Sequence, residues 1–196
     1  MWSSMVTVHP WIGVNYTAPV NFKHKTLIVG KSNYTSPPEN FNSTLVVRCV
    51  EDDLAVQNPD RDSTGFCRFS TKIRRVIFGR DETLGSNGLW SDVAFYNFVQ
   101  ALAGDRSRIR PSAQMWARSV PAFVEVVEKL WPSRILVLGK ANWKNILLNT
   151  QHHSLNPDTA RLMIGRTSIT AGYINHPSSN LTYATWQPIA HQLLFT

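Results

Sequence analysis

The chain has 196 residues, enough for about one domain, and 43% of them are hydrophobic with seven Trp, nine Phe and five Tyr, a composition too apolar and aromatic for disorder. No apolar run approaches the ~20 residues that cross a bilayer. Twenty Lys+Arg against thirteen Asp+Glu leave a net charge of +7, which favours polyanionic partners. Only Cys49 and Cys67 are present, too few for a disulfide framework, a Cys-rich zinc site or an iron-sulfur cluster.

Residues 1–25 read as an N-terminal extension packed on a single domain spanning 1–196. Their start lacks a basic stretch followed by an apolar one, so no signal peptide is expected. With so few cysteines, the expected home is intracellular, cytoplasmic rather than secreted. Thr26-Leu27-Ile28-Val29-Gly30 is a β-branched apolar run closed by Gly, the pattern of a buried strand entering a turn. Lys31–Asn40 and Val56–Thr64, rich in Ser, Pro, Asn and Asp, are expected as loops, and Glu51-Asp52-Asp53 as a solvated turn. Trp90, Val93, Ala94, Asn97 and Phe98 fall at helical spacing. Ser112–Trp131 is a second amphipathic stretch, with Ser112 and Ser119 as candidate N-caps and Pro121 suited only to a helix start.

Arg134–Gly139 repeats the strand-then-glycine pattern, Ala141–Leu148 and Tyr183–Leu194 read as helices, and Ser168–Asn175 as a third strand that stops at His176-Pro177. The alternation predicts an α/β fold, a three-layer sandwich with a short central parallel sheet flanked by helices. Ligands of such sheets bind outside the carboxyl ends of the strands. Lys31-Ser32-Asn33-Tyr34, Lys140–Trp143 and His176–Ser179 are therefore expected to meet there, as a pocket with a cation, amides, hydroxyls, an imidazole and aromatics but few carboxylates.

These residues resemble the uracil-DNA glycosylase superfamily over about Thr26–Leu194. His176-Pro177-Ser178 is similar to the family's His-Pro-Ser motif, whose imidazole contacts the pyrimidine carbonyl. Gly30–Tyr34 stands in the place of the Gly-Gln-Asp-Pro-Tyr water-activating loop. Gly65–Ser70 resembles the segment whose Phe stacks on the flipped base, with Phe69 the first candidate and Phe66 the second. Phe95–Phe98 resembles the segment whose Asn, here Asn97, reads the base edge.

The resemblance implies a monomeric, monofunctional DNA glycosylase that needs no cofactor or metal and binds DNA by its phosphates and one flipped base. His176 would stabilise the departing base, with Tyr34 and Ser32 shaping the pocket. Ser178, Ser179, Arg74, Arg75 and Arg110 would contact DNA, within a wider basic set of Lys72, Arg80, Arg106 and Arg108, and Leu181 would be the wedge filling the vacated stack. The first loop departs from the family pattern, because Ser32 stands where the acidic residue belongs. Three groups are candidates for its role: Asn33 positioning a water, Lys31 as an amine nucleophile, or Asp92 as a carboxylate. Uracil-like and C5-substituted pyrimidines are the expected substrates, in repair or in defence against foreign DNA. A catalytically silent binder of modified bases is the alternative.

Overall fold

The computed structural model describes residues 1–56, 65–106 and 109–196. Among them, seven strands form one mixed sheet: β1 (Trp11–Ile12), β2 (Thr26–Tyr34), β3 (Val93–Gly104), β4 (Arg134–Leu138), β5 (Gln151–Asn156), β6 (Thr159–Ile164) and β7 (Thr167–Ile174). Their spatial order is β1-β3-β2-β4-β7-β6-β5. The central four, β3, β2, β4 and β7, run parallel, and β1, β5 and β6 add antiparallel edges. Six helices pack on this sheet: α1 (Leu45–Ala55), α2 (Gly65–Phe78), α3 (Gly85–Trp90), α4 (Ala113–Leu130), α5 (Lys140–Asn149) and α6 (Tyr183–Phe195).

Side chains alternate across a strand, and β3 shows what covers each face. Phe98 packs on Trp116 and Phe123 of α4, while Phe95 packs on Phe66 and Phe69 of α2 and on Trp90 of α3. Leu27, Ile28 and Val29 of β2 and Ile135–Leu138 of β4 are wholly buried between these layers, as expected of parallel strands covered on both sides.

Several expectations are corrected. The central parallel strands flanked by helices are as expected, but antiparallel edge strands extend them into a larger mixed sheet. β2 does not end at Gly30 but runs through Lys31-Ser32-Asn33-Tyr34. Trp90–Phe98 is not a helix: α3 ends at Trp90 and β3 begins at Val93. Val93, Ala94, Phe95, Tyr96, Phe98 and Val99 are all buried, and this burial on both faces of the strand hid the two-residue period.

Glu51-Asp52-Asp53 lies within α1, not in a turn, and Asp53 is buried with its Oδ2 accepting the Trp90 indole N–H at 2.7 Å. Ser112 does cap α4, accepting from the Met115 N–H at 3.2 Å. Ser119 instead sits inside that helix, where its Oγ accepts the Gln100 N–H and donates to the Met115 carbonyl. Pro121 is likewise interior to α4 rather than near its start. Of the expected loop Val56–Thr64, residues 57–64 lie outside the described residues.

The N-terminal residues are tied to the sheet. β1 pairs with β3, and Val6, Val8, Tyr16 and Phe22 are buried. Among the described residues, no helix is long and apolar enough to cross a membrane.

Candidate functional site

Parallel pairing places Gly30 of β2 directly beside Asn97 of β3. A Cβ at Gly30 would overlap Asn97 Oδ1 and press within 3.2 Å of the Phe95 ring, so glycine is what admits the Asn97 amide here. Just beyond, irregular pairing on both sides of Asn33 breaks the ladder. The break re-aims Asn33: its Oδ1 accepts from Asn97 Nδ2 at 2.9 Å and its own Nδ2 donates to the Val99 carbonyl at 2.9 Å.

With Asn33 buried, this amide is spent as a brace that fixes how Asn97 lies. Ser32 and Tyr34 form the next rung, Ser32 Oγ donating to Tyr34 Oη at 2.7 Å and Tyr34 Oη to the Ile109 carbonyl at 2.8 Å.

α2 supplies the aromatic wall. Phe69 lies between the sheet and the loop after β7, its ring 6.1 Å from that of Phe95 and 5.6 Å from the His176 imidazole. Phe66 is set deeper, against Phe69, Phe95 and Trp90, so the structure brings Phe69 rather than Phe66 next to the histidine.

The loop after β7 holds His176 from several directions. The Ser178 N–H donates to His176 Nδ1 at 3.2 Å, and Ser178 Oγ lies 2.7 Å from the same nitrogen. Ser179 N–H and Oγ both donate to the His176 carbonyl, and Lys72 of α2 donates to the Pro177 carbonyl at 2.9 Å. A backbone N–H cannot reverse its role, so Nδ1 is an acceptor and the neutral ring carries its proton on Nε2. Burial, with the Lys31 ammonium second, lowers the His176 pKa to about 4. The imidazole is therefore neutral near pH 7, a donor through Nε2 that needs no charge.

Gly139, at φ +100°, closes β4 beneath this loop, where a Cβ would stand 3.3 Å from His176 Cβ. Asn142 in the first turn of α5 is fully buried and donates to the carbonyls of Val29 and Gly30, fixing the end of β2. The sequence places Gly139 at the end of β4 and Asn142 in the segment expected at the site, but assigns neither a role.

Other expected residues fall elsewhere. Asp92 is wholly buried just before β3, where it accepts from Asn15 Nδ2 at 3.0 Å and from the Val20 and Asn21 N–H groups. It anchors the N-terminal segment at the amino end of the strand, away from Asn97, and is corrected from a catalytic candidate to a structural clamp. Arg74, expected on a phosphate track, is 7% exposed, its Nε 3.1 Å from a Glu82 carboxylate oxygen and its terminal nitrogens donating to Ser86 and Thr71. α2 turns it inward.

Arg75, Arg80, Arg106 and Arg110 are exposed, and Arg108 lies outside the described residues. Leu181 is half-buried against the core. Ser178 and Ser179 are exposed but spend their side-chain groups on building the His176 loop.

The loop after β7 thus carries a neutral imidazole donor, α2 a phenyl face against it, and β3 and β2 a braced amide and the Lys31 cation part-way along their length. Among the described residues, no group of three or more His, Cys, Asp or Glu gathers as a metal-ligand set. No family model matches this chain, and no curated protein matches it.

Proposed function

We propose that this protein is a DNA glycosylase that hydrolyses the N-glycosidic bond of a flipped pyrimidine, uracil-like or C5-substituted, leaving an abasic site in repair or in defence against foreign DNA. The observation that carries the reading is the His176 ring, kept neutral with its donor on Nε2, beside the Phe69 face, whose other neighbour Phe95 lies on the same strand as the braced Asn97 amide. The α/β architecture, with the His176 loop directly after the carboxyl end of β7, agrees with the three-layer arrangement of the uracil-DNA glycosylase superfamily.

In this reading the base unstacks into the pocket at a cost of a few kcal/mol, offset by the Phe69 ring and the Asn97 amide. The bond between C1′ and the ring nitrogen then breaks, and its electron pair leaves with the base. Negative charge develops on the pyrimidine carbonyl, where a His176 Nε2–H donor does more for the departing anion than for the neutral base. Water adds to the electron-poor C1′ and yields its proton to solvent. The Lys31 ammonium adds a positive field that favours the same anion.

A second reading, a catalytically silent binder of modified bases, is favoured by one observation. The amide of Asn33, the residue available to position water, is bonded on both sides. The two readings part on turnover. Incubation with DNAs carrying uracil, mismatched thymine or C5-modified cytosine, with released base followed by mass spectrometry, is expected to yield free base from at least one of them. Tight binding without release from any would favour the binder.

A further inference from the structure

α2 presents two different edges. Phe66 and Phe69 face the sheet and the histidine loop, whereas Arg68, Lys72 and Arg75, spaced at i, i+4 and i+7, fall along one solvent-facing stripe. Arg68 and Arg75 are exposed, and neither has a carboxylate partner among the described residues, where the ion pairs are Arg74–Glu82 and Lys129–Glu125. Arg68 and Arg75 also border a cleft of about 740 Å³ between α1, α2 and residues 82–87, lined besides by Arg74 and Arg80 and by the carboxylates Asp53 and Glu82. Lys72, between the two arginines, joins the stripe to the site by its 2.9 Å bond to the Pro177 carbonyl.

We infer that the Arg68–Lys72–Arg75 stripe is a binding track for the phosphates of one DNA strand, leading that strand to His176. This deepens the glycosylase reading and rests on it for the choice of DNA as the polyanion. At 1.5 Å per residue the two arginines lie about 10 Å apart along the helix axis, far enough to contact separate phosphates of one strand. Arginine forks suit phosphate oxygens in pairs. The ammonium of Lys72, half-buried and already bonded to Pro177, marks where the track meets the catalytic loop. Arg74, one residue from Arg75, is left out of it because its guanidinium is buried and paired with Glu82.

The test is the salt dependence of binding to an unmodified DNA duplex, measured for the wild type, for Arg68→Gln/Arg75→Gln, and for Arg161→Gln/Arg166→Gln. The last pair removes equal charge from exposed positions on β6 and the turn that follows it. Losing two phosphate contacts is expected to lower the slope of log K against log salt by about 1.8 and to weaken binding about 60-fold at 0.1 M salt. The control pair is expected to leave the slope unchanged, and melting curves check that all three proteins are folded.

An unchanged slope in the Arg68/Arg75 variant overturns the track, as does an equal loss in the control pair or tighter binding of an RNA duplex of the same sequence. Base release is scored separately on modified DNA. Release with an unchanged slope removes the track and keeps the glycosylase, whereas a reduced slope without release keeps the track and removes the glycosylase.

Discussion

The Ser178 backbone N–H donates to His176 Nδ1, and this one bond decides which ring nitrogen carries the proton. Protonating Nδ1 would set two N–H groups against each other, in a loop further pinned by Ser179 and by Lys72. The geometry and the lowered pKa therefore favour the same neutral tautomer.

A pH dependence follows. The pKa of His176 in the folded protein, about 4, lies below its ordinary value of 6.5. Between these values the unfolded chain binds a proton that the native ring refuses, so this group's contribution makes stability fall as pH drops from 6.5 towards 4, with no further loss below. Titration followed by the His176 ring carbon signals in NMR is expected to show a neutral ring down to about pH 5. Chemical unfolding at pH 7 and pH 5 is expected to show a smaller difference for His176→Gln than for the wild type.

Asn33 gives a second prediction. Its amide bonds Asn97 on one side and the Val99 carbonyl on the other, out of water. Asn33→Ala removes both of these buried bonds and is expected to cost about 2 kcal/mol in urea unfolding. Asn33→Asp is expected to cost more at neutral pH, because an acceptor then faces the Val99 carbonyl. A stability unchanged by either substitution would remove the brace from the account.

How far the sequence could be read depended on how each residue's neighbours were disposed. β2, β4 and β7 were legible because each is a short β-branched run, and glycine or proline follows within a few residues of its apolar core. The meeting of the His176, Lys31–Tyr34 and Lys140–Trp143 segments followed from that pattern and from the rule for open parallel sheets. β3 was not legible, because Val93–Val99 is apolar on both faces and its spacing mimicked a helix. β5 is exposed at every residue, so Gln151–Asn156 offered no apolar alternation to mark it. Arg74 looked like its neighbour Arg75 in a basic run, and only the rotation of α2 separates them. Asn33 has the local signature of a loop residue, since the break in β2–β3 pairing that turns it inward depends on a partner strand distant in sequence.

Gly30 is the tightest steric test of the pocket. A methyl group there would strike Asn97 Oδ1 and crowd Phe95. Gly30→Ala is expected to retain the fold at a cost of about 1–3 kcal/mol while lowering base release about 100-fold through misplacement of Asn97. Circular dichroism checks the first statement and single-turnover assays the second. Release at the wild-type rate would dissociate Asn97 from base recognition.

Asp92 separates structure from chemistry. Asp92→Ala strips the acceptor from Asn15, Val20 and Asn21 and is expected to cost about 3 kcal/mol. Below its lowered melting temperature, the variant is expected to release base at the wild-type rate. A slowed reaction in the folded variant would return this carboxylate to the mechanism.

The most direct measurement is single-turnover base release by wild type and His176→Ala on the DNA that the release assay selects, with the dissociation constant for that DNA measured in parallel. A donor acting on the departing base predicts a rate at least about 100-fold lower in the variant, with DNA affinity within about twofold of wild type. Equal release rates in the two proteins would contradict the role assigned to His176, and no release by the wild type from any of the DNAs would contradict the glycosylase itself.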